Sequence, residues 1–321
     1  MVRICLCRRG ATKIVELLRA ALPQDEILEC SSEEVASCAR QVEVLVPLIA
    51  PVTEDALASP RLRLVQQFGA GLDGVDVDTA SRHGVYVANV PSGETANADS
   101  VAELAILLML ALARRWARAQ ENLQTRRVGA PVGTTLMGKT VTIVGFGGIG
   151  RALAKRLRAL GVRIVAVSRS GTSRGEADRH LAVSALPEAL READFIVVAT
   201  PLTDETRGLI GKDALASAKQ GAFLINVARG PVVDREALLA ALASGKLAGA
   251  GLDVFWEEPP DPLDRLFSLE VVATPHIGGA TDLSLQEIAR AVAENVDRLR
   301  RGEALRNCVN ASSLRPKPPQ A

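Results

Sequence analysis

Thr140-Val141-Thr142-Ile143-Val144-Gly145-Phe146-Gly147-Gly148-Ile149-Gly150-Arg151-Ala152-Leu153-Ala154-Lys155-Arg156-Leu157 is the stretch that decides the fold. Its first five residues are all β-branched, which suits a buried strand. Gly145, Gly147 and Gly150 follow at GxGxxG spacing, and helical periodicity begins after them. GxGxxG alone is a weak signal. Strand, glycine loop and helix in that order make it a dinucleotide-binding turn. The first glycine permits the tight turn, the second lets backbone approach a pyrophosphate, and the third lets helix and strand pack closely. The helix start at Gly148 and Ile149 then presents its N–H groups to phosphate.

The end of the next strand reads the adenosine ribose, where an NAD site places an Asp or Glu about twenty residues on. This chain has Ser168-Arg169-Ser170 there, and no acid occurs from Lys139 to Gly175 while eight basic residues do. Arg169 can pair with a phosphate dianion, Ser168 and Ser170 can donate hydrogen bonds, and Arg174 is a second cation. The expected cofactor is therefore NADP(H), with NAD(H) as the alternative.

Outward from the turn, strand-like and helix-like pieces alternate, the pattern of a parallel sheet. Strands are expected at Val2–Cys7, Val42–Pro47, Leu62–Phe68, Val85–Asn89, Val141–Val144, Arg163–Val167, Phe195–Ala199, Ala222–Asn226, Gly249–Asp253 and Val271–Ala273. Helices are expected at Thr12–Ala21, Gly148–Leu160, Leu186–Glu192, Asp213–Ser217, Asp234–Ala243 and Asp282–Arg301. Ala98–Arg115 reads as a helix apolar nearly all round, hence one covered on several sides. Leu123–Met137 reads as loop, and the tail from Ser312, with three prolines, as loose.

The 321 residues suggest two domains at roughly 150 residues each. With 38 basic and 37 acidic residues the formal net charge is +1, which gives no global reason to bind nucleic acid or an anionic membrane. Aromatics at 3% argue against base stacking as the main activity. The apolar run Val101–Ala113 is short of a membrane span and carries Glu103. Cys5, Cys7, Cys30, Cys38 and Cys308 include no CxxC pair, and only three histidines are present, so no metal site is expected. Unpaired thiols suit a reducing cytoplasm.

Ligands of an open parallel sheet lie outside the carboxyl ends of its strands. Arg229, Glu257, Glu258 and His276 all fall just after expected strands. Reducing a carbonyl leaves an alkoxide that needs a proton, and His is the natural acid. A carboxylate on its other nitrogen fixes the tautomer. Arg can hold and polarise a 2-keto acid.

These segments resemble the D-isomer-specific 2-hydroxyacid dehydrogenase family over nearly the whole chain. The resemblance rests on Gly71-Leu72-Asp73-Gly74-Val75-Asp76, Ser100-Val101-Ala102-Glu103-Leu104-Ala105, the glycine loop, Asn226-Val227-Ala228-Arg229-Gly230, Gly251-Leu252-Asp253-Val254-Phe255 with Glu258-Pro259, and Pro275-His276-Ile277-Gly278. It implies an α/β architecture: a Rossmann-type dinucleotide-binding domain (94–279) inserted into a smaller flavodoxin-like α/β substrate domain (1–93 and 280–321). It implies that Arg229 binds and orients substrate, Glu258 partners the histidine, and His276 is the general acid/base. The amides of Ala70 and Gly71 would hold the substrate carboxylate. Besides Gly145, Gly147 and Gly150, cofactor contacts would fall on Gly148, Ile149, Thr200, Val227, Asp253, His276 and Gly278, with Ser168 and Arg169 at the ribose.

The spacing to Pro259 selects Glu258 over Glu257. Ser168-Arg169-Ser170 resembles the NADPH-using glyoxylate/hydroxypyruvate reductases and hydroxyphenylpyruvate reductases. The expectation is an NADPH-dependent reductase of a small 2-keto acid, working as a cytoplasmic homodimer without metal, nucleic acid or membrane. Two alternatives stay open: an NAD-dependent D-2-hydroxyacid dehydrogenase, and a dinucleotide-sensing binding protein of the co-repressor type. Members often carry an aromatic residue in the loop here reading Thr125-Arg126-Arg127-Val128-Gly129, where this chain has none.

Overall fold

The computed structural model describes residues 1–172 and 176–314; Arg174 and the proline-bearing tail beyond Leu314 lie outside them. The chain divides into two compact units, Met1–Asn97 with Asp282 onward, and Ala98–Thr281. These borders fall two to four residues beyond those expected from sequence.

In the first unit the strands are β1 (Arg3–Leu6), β2 (Glu26–Glu29), β3 (Val44–Val46), β4 (Leu64–Gln66) and β5 (Tyr86–Ala88). They form a parallel sheet of order β2-β1-β3-β4-β5. That is the flavodoxin-like order. The period of two divides the side chains cleanly. Ile4, Leu6, Val44, Val46 and Leu64 pack beneath helices Thr12–Ala21 and Asp282–Arg301. Cys5, Cys7, Leu45, Val65 and Val87 pack on the opposite face with Val35, Ala39, Ala56 and Leu57.

In the second unit the strands are β6 (Thr140–Val144), β7 (Arg163–Ser168), β8 (Arg179–Ala182), β9 (Phe195–Val198), β10 (Ala222–Asn226), β11 (Leu247–Leu252) and β12 (Val271–Ala273). Their order is β12-β11-β10-β9-β6-β7-β8, all parallel. Counted from β6, this is the Rossmann order 3-2-1-4-5-6 with one strand added. The order reverses between β6 and β9, so the crevice opens above the glycine loop. Helices Asn97–Ala113 and Gly148–Arg158 cover one face of the sheet, and Leu186–Glu192, Lys212–Ser217 and Arg235–Ala243 the other.

One reading from sequence changes. Helix Asn97–Ala113 packs one face into the core of its unit, and Leu107 and Leu110 are 56% and 39% exposed in the single chain. Arg115, in the left-handed region at φ 50°, breaks the chain into a second helix, Trp116–Gln124, which the loop reading overlapped at Leu123 and Gln124. That helix buries no residue: its apolar positions Trp116 and Leu123, seven apart on one face, are exposed.

Candidate functional site

The glycine loop separates into three physical cases. A Cβ on Gly145 (φ 99°) would sit 2.5 Å from the Thr200 amide nitrogen, and one on Gly150 would sit 2.3 Å from the Gly145 carbonyl oxygen. Both positions exclude any side chain, and the Gly145 approach fixes Thr200 beside the loop. A Cβ on Gly147 would meet nothing within 4 Å. The space over Gly147 is therefore open to a ligand, directly before the helix that starts at Gly148-Ile149. That helix has no acid in its first turn and Lys155, Arg156 and Arg158 in its last, so its positive end is uncompensated by side chains. The loop fits a dinucleotide pyrophosphate.

At the ribose end, Ser168 closes β7 half-buried, while Arg169 and Ser170 are exposed. The surrounding basic run is less free than its composition suggests. Arg156 pairs with Asp99 at 2.7 Å and Glu103 at 3.2 Å, Arg163 with Glu192 at 2.8 Å, and Arg158 with Glu176 at 4.0 Å. Sequence reading also missed Glu205, in the loop after β9. Its carboxylate is held below its usual range first by the Thr203 hydroxyl, then by its own amide and by the charge of Arg169. No periodicity or motif marks that proximity.

Arg229, Glu258 and His276 follow β10, β11 and β12, three neighbouring strands. His276 Nδ1 lies 2.6 Å from Glu258 Oε2. Glu258 Oε1 accepts the Phe255 amide at 3.0 Å. Burial pushes the Glu258 carboxyl upward. The His276 hydrogen bond and charge, the Phe255 amide and the charge of Arg229 outweigh it and hold Glu258 below the ordinary carboxylate range. An ionised carboxylate only accepts, so Nδ1 carries its hydrogen toward Glu258 and Nε2 is left for a ligand. Glu257 is exposed. Of the other histidines, His83 faces Glu54 at 3.6 Å and His180 packs edge-on against Phe146.

The strand-end loops are fixed to one another. A Cβ on Gly230 would lie 2.1 Å from the Phe255 carbonyl carbon, so only glycine lets the turn after Arg229 touch the Glu258 segment. Trp256 Nε1 donates to the Val233 carbonyl at 2.7 Å, tying the same two segments. Arg229 Nη1 donates to the Ala228 carbonyl at 2.8 Å, and the Asn226 side chain bridges the Ala228 amide and the Arg229 carbonyl. Val227 is buried beside them. Asp253, 2% exposed, clasps the loop that carries His276. Its Oδ1 accepts the Thr274 hydroxyl at 2.7 Å and the Ile277 amide at 2.8 Å, and its Oδ2 accepts the Gly278 amide at 2.8 Å. Both carboxylate oxygens are thus engaged by the protein itself. His276 sits inside this clasp at φ 54°.

In the first unit, the loop containing Ala70 and Gly71 turns its carbonyls inward. Those of Gly69, Ala70 and Gly71 accept from the Val90 amide at 2.8 Å, Asn89 Nδ2 at 2.8 Å and Gln67 Nε2 at 2.5 Å. In a trans peptide the N–H opposes the C=O, so the amides of Ala70, Gly71 and Leu72 are directed away from those partners. Gln67 and Asn89, which hold these carbonyls, were not singled out from sequence.

A Rossmann-type sheet with an open glycine loop and an Arg–Glu–His group at its strand ends defines an oxidoreductase of the dinucleotide-binding class. The chain belongs to the D-isomer-specific 2-hydroxyacid dehydrogenase family: residues 106–278 match its NAD-binding domain. It is 39% identical over 303 residues to a glyoxylate reductase of Thermococcus kodakarensis, covering 91% of this chain and 90% of that one. It is 40% identical over 287 residues to a hydroxypyruvate reductase of Thermotoga maritima, covering 86% and 92%. The crystal structure of the TT0316 protein from Thermus thermophilus superimposes with a TM-score of 0.84 at 32% identity, covering 96% and 99%. No helix of the described residues is long and apolar enough to cross a membrane.

Proposed function

We propose that the protein reduces a small 2-keto acid of the glyoxylate or hydroxypyruvate kind to the D-2-hydroxy acid with NADPH, using His276 as proton donor. The observation that carries this is the 2.6 Å contact of His276 with Glu258, with Arg229 at the adjoining strand end. When bound, the reduced nicotinamide supplies a hydride. The Ala70 and Gly71 amides take the substrate carboxylate, and Arg229 holds and polarises the keto oxygen. As the carbonyl π bond breaks, its electron pair settles on oxygen. His276, doubly protonated, gives that oxygen its Nε2 proton and returns to the neutral imidazole, while Glu258 keeps the ring oriented throughout.

Gly145, Gly147, Gly148, Ile149 and Gly150 would hold the pyrophosphate, with Thr200, Val227, Asp253 and Gly278 lining the remaining length. Ser168 and Arg169 would receive the 2′-phosphate. A second reading, use of NADH, is favoured by Glu205, whose carboxylate lies in the field of Arg169. We assign Met1–Asn97 with the C-terminal segment to substrate and the inserted unit to cofactor. Exposed Leu107, Leu110, Trp116 and Leu123 support a homodimer through this surface, and five unpaired cysteines support a cytoplasmic setting.

Steady-state assay of a panel of 2-keto acids with NADPH and with NADH tests the assignment. Turnover of glyoxylate or hydroxypyruvate with a higher kcat/KM for NADPH is expected. Turnover confined to NADH would reject Arg169 as a phosphate ligand, and no turnover with any acid would reject the enzyme reading.

A further inference from the structure

The fold gathers cysteines that the sequence scatters. Cys5 and Cys7 lie two apart along β1 and its end, so their side chains leave the same face. Cys30 follows β2 directly beside them: Leu6 pairs with Glu29, and the Cys30 amide donates to the Leu6 carbonyl at 3.1 Å. The Sγ atoms of Cys5, Cys7 and Cys30 all lie within 4.8 Å of one another, and all three residues are buried. Cys38, half-buried in helix Val35–Ala39, packs against the same apolar cluster, its sulfur outside the close group of three. Arg9, paired with Glu34 at 2.7 Å, places its charge within reach of Cys30 and Cys38. None of these cysteines is in a disulfide, and the proposed reduction uses none of them.

A buried thiol is an ordinary small apolar residue, and packing accounts for any one of the four. Packing does not require three sulfurs to close on a common point. Sulfur is a soft ligand that selects zinc or copper(I) over magnesium or calcium. In a tetrahedral zinc site, metal–sulfur bonds of about 2.3 Å set sulfurs about 3.8 Å apart. The three sulfurs here need to close by about 1 Å at most to reach that spacing.

We propose that Cys5, Cys7 and Cys30, with Cys38 as the fourth ligand on the solvent side, form a binding site for one thiophilic d10 cation, zinc or copper(I). Each thiol that ligates loses its S–H proton to solvent, so loading is favoured as pH rises. The half-buried Cys38 provides the route in. A bound ion would link β1, β2 and the helix Val35–Ala39, and so would raise the stability of this unit in proportion to its occupancy.

The test uses the full chain, purified with reductant and chelator and then exchanged into anaerobic buffer. Titration with cobalt(II) is expected to saturate at one equivalent per chain. It should give sulfur-to-metal charge-transfer bands and the intense visible bands of a tetrahedral site, all displaced by zinc. Copper(I) titrated against a chromophoric chelator identifies the tighter ion. Cys7→Ser and Cys30→Ser should lose the cobalt spectrum, and Cys308→Ser should keep it, each variant shown folded by circular dichroism and cooperative melting. If the first two do not fold, the wild-type protein decides. Bound metal must then protect Cys5, Cys7 and Cys30 from alkylation while Cys308 is labelled, as read by peptide mass. Failure to bind any of the three ions, a cobalt spectrum that survives Cys7→Ser, or a disulfide among these cysteines in place of metal binding overturns the proposal.

Discussion

Replacing Asp253 with Asn keeps the shape of the side chain and removes one acceptor from the clasp around His276. The carboxylate accepts three hydrogen bonds, from the Thr274 hydroxyl and from the Ile277 and Gly278 amides. An amide group offers one oxygen and one NH2. With nitrogen at the Oδ2 position, two donors face each other at Gly278; with nitrogen at Oδ1, the same happens at Ile277. Either way one backbone N–H, buried at Gly278 or part-buried at Ile277, is left without an acceptor, at a cost of roughly 2–4 kcal/mol for loss of a charged partner. By 1.4 kcal/mol per decade, the open form of the loop becomes about 30- to 1,000-fold more populated. Amide exchange at Ile277 and Gly278, followed by mass spectrometry or NMR, should accelerate by that factor. As His276 leaves alignment, kcat for keto-acid reduction should fall about 10- to 100-fold. Wild-type exchange rates at both amides in Asp253→Asn would refute the clasp, whatever happened to kcat.

Glu258→Gln should lower kcat about 10²- to 10⁴-fold, with His276→Ala at least as severe, while exposed Glu257→Gln should leave kcat near wild type. Steady-state kinetics decide, and equal losses at 257 and 258 would reject the pairing. Arg169→Ala should reduce the NADPH-over-NADH ratio of kcat/KM roughly 10- to 150-fold, the worth of one charge-assisted contact; an unchanged ratio counts against it. Gly147→Ala should keep the melting temperature and raise the cofactor KM, because its Cβ enters open space. Gly230→Ala should lower the melting temperature, because its Cβ meets Phe255. Glu258 is held below its unfolded value, about 4.3 for a free Glu, so its stabilising contribution is present above that value and lost as pH falls through the folded one. Urea midpoints of wild type and Glu258→Gln should therefore differ at neutral pH and converge in acid.

The central strands and the glycine loop were legible because each obeys a local rule: β-branched runs flanked by glycine, and a spacing that sterics enforce. β2 and β8 were not. Both are sheet edges, with patterns that are mostly half-buried, and an edge strand such as Glu26-Ile27-Leu28-Glu29 lacks the continuous apolar run of a central one. Arg229, Glu258 and His276 could be picked out because strand ends and motif spacing both mark them. Their supports could not be. The clasp by Asp253, the hold of Gln67 and Asn89 on the loop carbonyls, the nearness of Glu205 to Arg169 and the meeting of Cys5, Cys7 and Cys30 depend on register and loop course. Composition also misled at one point: of the eight basic residues in the run around Arg169, Arg156 and Arg163 are paired with Asp99, Glu103 and Glu192, acids contributed from outside it.

The core beneath β1 joins Val2, Ile4 and Leu6 to Ile288, Val292, Val296 and Leu299 of the helix Asp282–Arg301. On the ribosome these two sets emerge on either side of Ala98–Thr281. At about 5–20 residues per second, translating that insertion takes roughly ten to forty seconds. The inserted unit has all its strands and can close its own core in that interval. The strands of the first unit meanwhile keep an apolar face with helix Thr12–Ala21 but without the second of its two covering helices. The length of the insertion, more than the strength of any strand, sets how long that face is open to chaperones or to other nascent chains.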